Sequence, residues 1–392
     1  MPLSRLQHFT GRDLSVKTPA ELFDEGCKDW GLGPRTPEEI SKSPVFQEAA
    51  TLADILIRET FRTNDIQGLV PIHFDFIHSD QMNAVADIRA GTGLVGVTDG
   101  SIFLITDIFR RLLSHPLVLP HIGNAPAESI NAYHQDGISQ TCEVLAKKRA
   151  AENRPVVPPP PNDPVREACA LVMSRLALEF LITHELAHIV RGHVGYIYDS
   201  VGIPYMLEFR SHGMQKPPAA FDPIVRQALE VDADRIAVVN TLRIANMAKE
   251  GNLRQKWNGI ISSSQEAIYI WNFAIGWLFY LWGLEVDFDE MDKYDHPPSG
   301  LRDLEAVATA MTVMEKNWPE LLADFKEAYP RSKHEIMRSV IAIGGTCTQS
   351  RWVEYGEAAS DNRALQHQEL VSNTWNAIRP HVNEHSFMEL AP

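Results

Sequence analysis

The stretch EFLITHELAHIVRGHVGY, Glu179–Tyr196, decides how this chain is read. It sets two histidines around a glutamate at HExxH spacing, with Phe180, Leu181, Ile182, Ile189 and Val190 as apolar flanks. Residues four apart share one face of a helix, so His184 and His188 can point two imidazoles at one tetrahedral ion while Glu185 reaches the edge of the site. Three fixed letters arise by chance, and the context strengthens them: two buried histidines and a glutamate need partners. The helix is expected to open with Asp163 as N-cap and Pro164 at its first position, and to run to about Tyr196.

A site of this kind requires a third protein ligand, with a fourth position left to water where it is catalytic. His193 is the nearest candidate. The elongated spacing HExxHxxGxxH would place Gly at position 191 and His at 194, where this chain has Arg191 and Val194. A structural or surface role is therefore expected for His193, with a helix-end role or one behind a ligand as the alternative. Downstream, RQALEVDADRIAVV (Arg226–Val239) puts Glu230 and Asp234 on one helical face beside the small Ala233. An acidic pair in an apolar face needs a reason, and supplying the third ligand is one. Glu230 would bind the metal and Asp234 would accept the free ring N–H of a ligand histidine, His184 foremost. An exposed acidic stripe is the competing reading. Asp232 points elsewhere and is expected to be solvated or in an ion pair.

Around these helices, Thr36 and Pro37 open one helix that carries Phe46, Ala49, Ala50, Ala53, Leu56 and Ile57 at helical spacing. From Pro71 the pattern changes to short runs, PIHFDFIH, MNAVADI and GLVGVT, which predict a small antiparallel sheet. DGSIFLITDIFRRLLSHP follows as a helix stopped before Pro116. Residues 121–164 read as an insertion ending in the stiff connector RPVVPPPPNDP. Further helices are expected from about Asp222 to Met247 and from near Pro298, and a loop around GGTCTQS. The fold class expected is α+β, mostly helical, with a small antiparallel sheet and two long metal-binding helices. Its divisions are an N-terminal helical region (1–65), a catalytic domain (66–316) and a C-terminal helical region (317–392).

At 392 residues, with 44% hydrophobic and 22% charged content, the chain is long enough to bury a sizeable core. A formal net charge of −15 excludes nucleic-acid binding driven by charge and disfavours anionic membrane surfaces. Cys27, Cys142, Cys169 and Cys347 form no CxxC pair and are read as reduced. The N-terminal MPLSRLQHFTGRDLSV lacks the apolar core of a secretory signal, so the cytoplasm is the expected compartment. Residues 267–284, AIYIWNFAIGWLFYLWGL, leave an alternative open. Preceded by Arg254 and Lys256, they reach the lower limit for a helix spanning an inner membrane; a helix buried on all sides is the favoured reading.

The residues HELAHIVRGH and EVDADRIA together resemble the HExxH and ExxAD motifs of gluzincin metallopeptidases of the HtpX and CAAX-prenyl-protease type. Two further segments are similar to elements of that family in the same order: QMNAVA (Gln81–Ala86), like its Asn-Ala edge-strand segment, and HPPSGLR (His296–Arg302), like its HPxxxxR element. The resemblance spans residues from about 70 to 315, and the phage-exclusion protease Lit is similar more loosely. The chain departs from the family in offering at most one spanning helix and in lacking the usual Phe after Asn-Ala. The resemblance implies a zincin-like core with one Zn²⁺ per chain held by His184, His188 and Glu230, with Asp234 behind His184. Glu185 would act as general base, an extended polypeptide would pair along Asn83 and Ala84, and His296 with Arg302 would stabilise the oxyanion. The bland alternative for HPPSGLR is a helix start, with Arg302 paired to a nearby acid. The expected function is a zinc endopeptidase. The alternatives are a conditionally activated cytoplasmic protease acting on one host protein, its cleft covered by the N-terminal region and insertion, and a non-catalytic interaction protein stapled by zinc.

Overall fold

Proline and threonine punctuate the N-terminal segment. Thr18 and Thr36 form capping boxes with Glu21 and Glu39, opening α1 (Pro19–Asp29) and α2 (Pro37–Lys42). Ser43, which precedes Pro44, is driven out of helical geometry (φ −110°, ψ 112°), so the single helix expected here is two, and α3 (Pro44–Thr63) starts afresh. The computed structural model describes residues 17–63, 71–139, 141–203, 205–207, 222–253, 257, 259–283, 290–344 and 361–390. Residues 345–350 of the expected GGTCTQS loop, Arg254, Lys256, Leu284 and Cys347 lie outside them.

The sheet contains β1 (Gly33–Pro34), β2 (Ile72–His78), β3 (Ala84–Arg89), β4 (Thr92–Thr98) and β5 (Tyr205–Leu207), in the order β1-β2-β4-β3-β5. β3 and β4 form a hairpin whose turn residues Ala90 and Gly91 both have positive φ, 46° and 76°, as a tight right-twisted hairpin requires. The seven residues of β4 are all buried, and it takes a central place, antiparallel to β3 and parallel to β2. The expected antiparallel sheet is therefore mixed. The N-terminal segment belongs to it: β1 pairs with β2, while Leu22, Phe23 and Cys27 of α1 pack with Ile77, Val85 and Leu94. Gly93 lets the sheet approach the central helix closely, since a Cβ there would stand 3.0 Å from Ile189 Cγ2.

Helix α4 (Asp99–Leu113) follows the sheet, and α5 (Cys142–Ala151) lies in the insertion. The central α6 (Pro164–Val190) is capped by Asp163 as expected but ends before Tyr196. Gly192, at φ +85°, interrupts it, and α7 (His193–Val201) starts in a new direction. The second long helix also divides, into α8 (Pro223–Thr241) and α9 (Arg243–Lys249). Beyond them come α10 (Ser264–Trp282), α11 (Ser299–Asn317), α12 (Leu322–Ala342) and α13 (Asn362–His385).

Every residue of α10 from Ala267 to Trp282 is buried. Its indoles find partners inside the protein: Trp271 Nε1 donates to Thr241 Oγ1 (2.9 Å) and Trp277 Nε1 to Ser339 Oγ (3.1 Å). Among the described residues no helix is long and apolar enough to cross a membrane.

Buried arginines fasten the end of α4 and the insertion that follows it. Arg166 spends all five of its N–H donors on the carbonyls of Leu113, His115, Val118, Leu119 and Ile122, at 2.7–3.1 Å. Arg149 joins Asp107 (2.6 Å) to Asp136 (2.7 Å). His134 is sealed beside them, and burial pushes its imidazole down to about 4 from 6.5. The folded chain then refuses a proton that the unfolded chain accepts, so this contribution to stability is complete above about pH 6.5 and is lost as pH falls toward 4. The loss is expected to approach about 1.4 kcal/mol per pH unit inside that window. Urea midpoints recorded from pH 7 to pH 4.5 check it, because His134→Asn removes this part of the slope if His134 carries it.

Candidate metal centre

The C-terminal half of α6 packs against α8, and this contact brings the two sequence motifs together. His184 Nε2 lies 2.9 Å from His188 Nε2 and 3.1 Å from Glu230 Oε2, and His188 Nε2 lies 3.6 Å from the same oxygen. A tetrahedral ion with bonds of about 2.0–2.2 Å spaces its donor atoms about 3.3–3.6 Å apart. One edge of the triangle matches that spacing and the other two, at 2.9 and 3.1 Å, are slightly shorter, so a few tenths of an ångström of outward shift would admit one ion. Among the described residues, His184, His188 and Glu230 are the group whose donor atoms all fall within 4.8 Å of one another, so the three form a buried group able to hold a metal.

The electrostatics suit a cation. Burial pushes the His188 imidazole down to about 4, which keeps it neutral and free to offer a lone pair. Burial also opposes ionisation of Glu230, but the neighbouring histidines, His296 and then His188, outweigh it and hold the carboxyl well below its ordinary value. Glu230 Oε1 is buried without a hydrogen-bond partner. Glu185, next to His184, is also buried, at 1% exposure.

Each histidine is held from behind. His184 Nδ1 lies 2.9 Å from Asp234 Oδ1, as expected for the residue four positions after Glu230. Asp234 is gripped in turn by Arg302, whose Nε and Nη2 donate to its two oxygens at 2.7 and 2.8 Å. The Arg302 guanidinium also lies over the Trp282 ring, 4.6 Å from its centroid. Arg302 is thus a buried clamp on Asp234, the pairing with a nearby acid that the sequence left open beside the oxyanion role. His296 does reach the site, with Nδ1 3.5 Å from Glu230 Oε2, and starts the turn into α11.

His193 is neither on the surface nor a ligand. The break at Gly192 folds it back beside His188, Nδ1 to Nδ1 at 2.9 Å, and its Nε2 lies 3.2 Å from Asp232 Oδ2. Asp232, 4% exposed, is not solvated: Arg191 donates to both of its oxygens, Nη2 to Oδ1 at 2.8 Å. Burial opposes its ionisation, but His193 and Arg191 outweigh it and lower its pKa. The signal available in sequence was Gly192, whose presence near a helix end marks a left-handed stop.

Asn83 and Ala84 are buried, at 4% and 1% exposure. Val85, Ala86 and Asp87 of β3 pair with Leu207, Met206 and Tyr205 of β5, so β3 is covered from Val85 onward, while Asn83 and Ala84 precede that pairing. β5 lies more than 100 residues beyond β3 in sequence, and the local pattern of β3 carries no mark of it.

The C-terminal region, whose role was not legible in sequence, closes the site. Trp375 of α13 sets its ring edge-on to His193 at 5.9 Å and lies under the Arg191 guanidinium. Beyond α13, Ser386 Oγ and Phe387 N donate to the Val190 carbonyl at 3.1 and 2.9 Å, satisfying the end of α6. A Cβ on Gly192 would stand 2.5 Å from His385 C, so glycine also permits this approach. Trp282 of α10 covers His184 at 6.3 Å between ring centroids. The insertion, which a latent protease could use to cover its cleft, is fastened to α4 and the N-terminal half of α6.

Compared with models of protein families, with curated proteins and with solved structures, the chain returns no match.

Proposed function

We propose that the chain is a zinc-dependent endopeptidase of the gluzincin kind, in which Glu185 is the general base for peptide hydrolysis. The observation that carries this reading is the buried donor triangle of His184, His188 and Glu230 with Glu185 adjoining it on α6. Two imidazoles and one carboxylate suit zinc and leave a fourth position for water or substrate. When bound there, zinc supplies a Lewis acid that lowers the pKa of water toward neutrality. Glu185 takes the proton of the attacking water and delivers it to the leaving amine. His296 donates to the carbonyl oxygen as negative charge develops on it. Arg302 is bound to Asp234 and is given no part in that step; an extended substrate would meet β3 at Asn83 and Ala84, ahead of the stretch that β5 pairs. A glutamate adjoining the first histidine favours catalysis over a zinc staple, which has no use for it.

A second reading, a protease kept latent until a partner opens it, is favoured by enclosure: His184, Glu185, His188 and Glu230 are each at most 1% exposed. Two tryptophans, Trp282 of α10 and Trp375 of α13, form part of the cover. The cytoplasm remains the proposed compartment, in keeping with free Cys27, Cys142 and Cys169. The reading is tested by metal analysis of protein purified without detergent, where one zinc per chain is the expected content. Protein that takes up no zinc, even on reconstitution, would remove the proposal. Cleavage of unstructured casein without any partner would retain the enzyme and remove latency.

A further inference from the structure

We propose that His193, backed by Asp232 and Arg191, is a positioning residue that fixes the proton of His188 on Nδ1 and so keeps its Nε2 lone pair turned to the metal. This rests on the metal-site reading above.

Each proton along this chain of contacts has one place it can sit. Arg191 donates to both oxygens of Asp232, which is therefore held as a carboxylate, an acceptor only. The nitrogen facing it, His193 Nε2 at 3.2 Å, must carry a proton. In a neutral imidazole the other nitrogen then bears a lone pair, so His193 Nδ1 is an acceptor. His188 Nδ1, 2.9 Å away, must be the donor, and His188 Nε2 is left bare. The reverse assignment would set a lone pair of His193 against a buried carboxylate, with no proton between them.

On the other side of the site one contact does what two do here. Asp234, clamped by Arg302, obliges His184 Nδ1 to carry its proton and leaves Nε2 bare. The consequence is a triangle of three acceptors, His184 Nε2, His188 Nε2 and Glu230 Oε2, with no proton among them. Two bare nitrogens 2.9 Å apart repel unless a cation lies between them. Asp232 and Asp234, two residues apart on α8, thus serve different histidines through different arginines. The longer arm needs His193 as a spacer, and Trp375 walls it off from water, which would otherwise offer His188 Nδ1 a competing partner.

The test measures zinc affinity of the full chain by competition with a chromophoric chelator, beside circular dichroism as a check of fold. His193→Leu, which fills the space but accepts no proton, is expected to weaken zinc binding about 10–100-fold. His193→Asn places an amide oxygen where Nδ1 stood and is expected to bind within about threefold of the wild type, an outcome that a packing role alone would not give. Wild-type affinity in a folded His193→Leu, or equal weakness of the Leu and Asn variants, overturns the proposal. Should His193→Leu not fold, Asp232→Asn decides: it no longer obliges a proton on His193 Nε2, so an affinity loss of about tenfold or more supports the relay and an unchanged affinity overturns it. Failure of the wild type itself to bind zinc is a different result, and it removes the metal-site reading rather than the relay.

Discussion

Glu185→Gln is expected to hold one zinc per chain while peptide hydrolysis falls by about 10²–10⁴-fold, the range over which a positioned general base contributes. Gln has the shape of Glu and contributes no ligand to the His184, His188 and Glu230 group, so the donor triangle keeps its geometry. What disappears is the acceptor for the proton of water and the acid that later protonates the leaving amine. Turnover of an unstructured polypeptide, with zinc content measured on the same preparation, checks both halves. A variant that cleaves at the wild-type rate sinks the role of Glu185. The same variant separates an enzyme from a zinc-stapled interaction protein, since a staple would retain partner binding and stability unchanged.

The second large effect is expected at Arg302. Its guanidinium is 2% exposed, bonded through Nε and Nη2 to Asp234 and set over the rings of Phe279 and Trp282. Arg302→Leu leaves Asp234 buried with its compensating cation gone, a loss of about 3–5 kcal/mol for a broken buried pair. Asp234 then takes up a proton or moves away, and His184 loses the acceptor that orients it, so zinc affinity should fall about 10–100-fold. Urea unfolding and chelator competition measure the two effects. The double variant Arg302→Leu with Asp234→Leu should recover part of the stability but none of the affinity, since it removes the stranded charge without restoring the acceptor. Stability within about 1 kcal/mol of the wild type in Arg302→Leu alone would show that the clamp is not structural.

The contrast between Asp234 and Arg302 illustrates what a sequence can carry. Helical spacing puts Asp234 on the face of Glu230, because residues four apart on α8 share a face, and a buried acid there points to a ligand histidine, His184 foremost. For Arg302 the sequence left two roles open, oxyanion donor or partner of an acid, and the approach of α11 to α8 decided for the acid. His193 shows the same division within five residues. Its spacing excluded it as a ligand in the elongated motif, yet its return to His188 depends on the left-handed Gly192 and on His385 and Ser386 packed against that glycine.

By itself, then, the sequence determined local periodic parts of this protein: the caps at Thr36 and Asp163, the histidine pair on α6 and the acidic face of α8. Those follow from bond geometry repeated over a few residues. Tertiary structure alone decided that β4 would lie parallel to β2, that β5 would take the edge of β3, that Asp232 would be buried, and that residues 267–282 form a core helix. The physical reason is common to all four. Hydropathy and spacing record how much a segment prefers to be out of water, while the partner that removes it from water is supplied by chain far away in sequence.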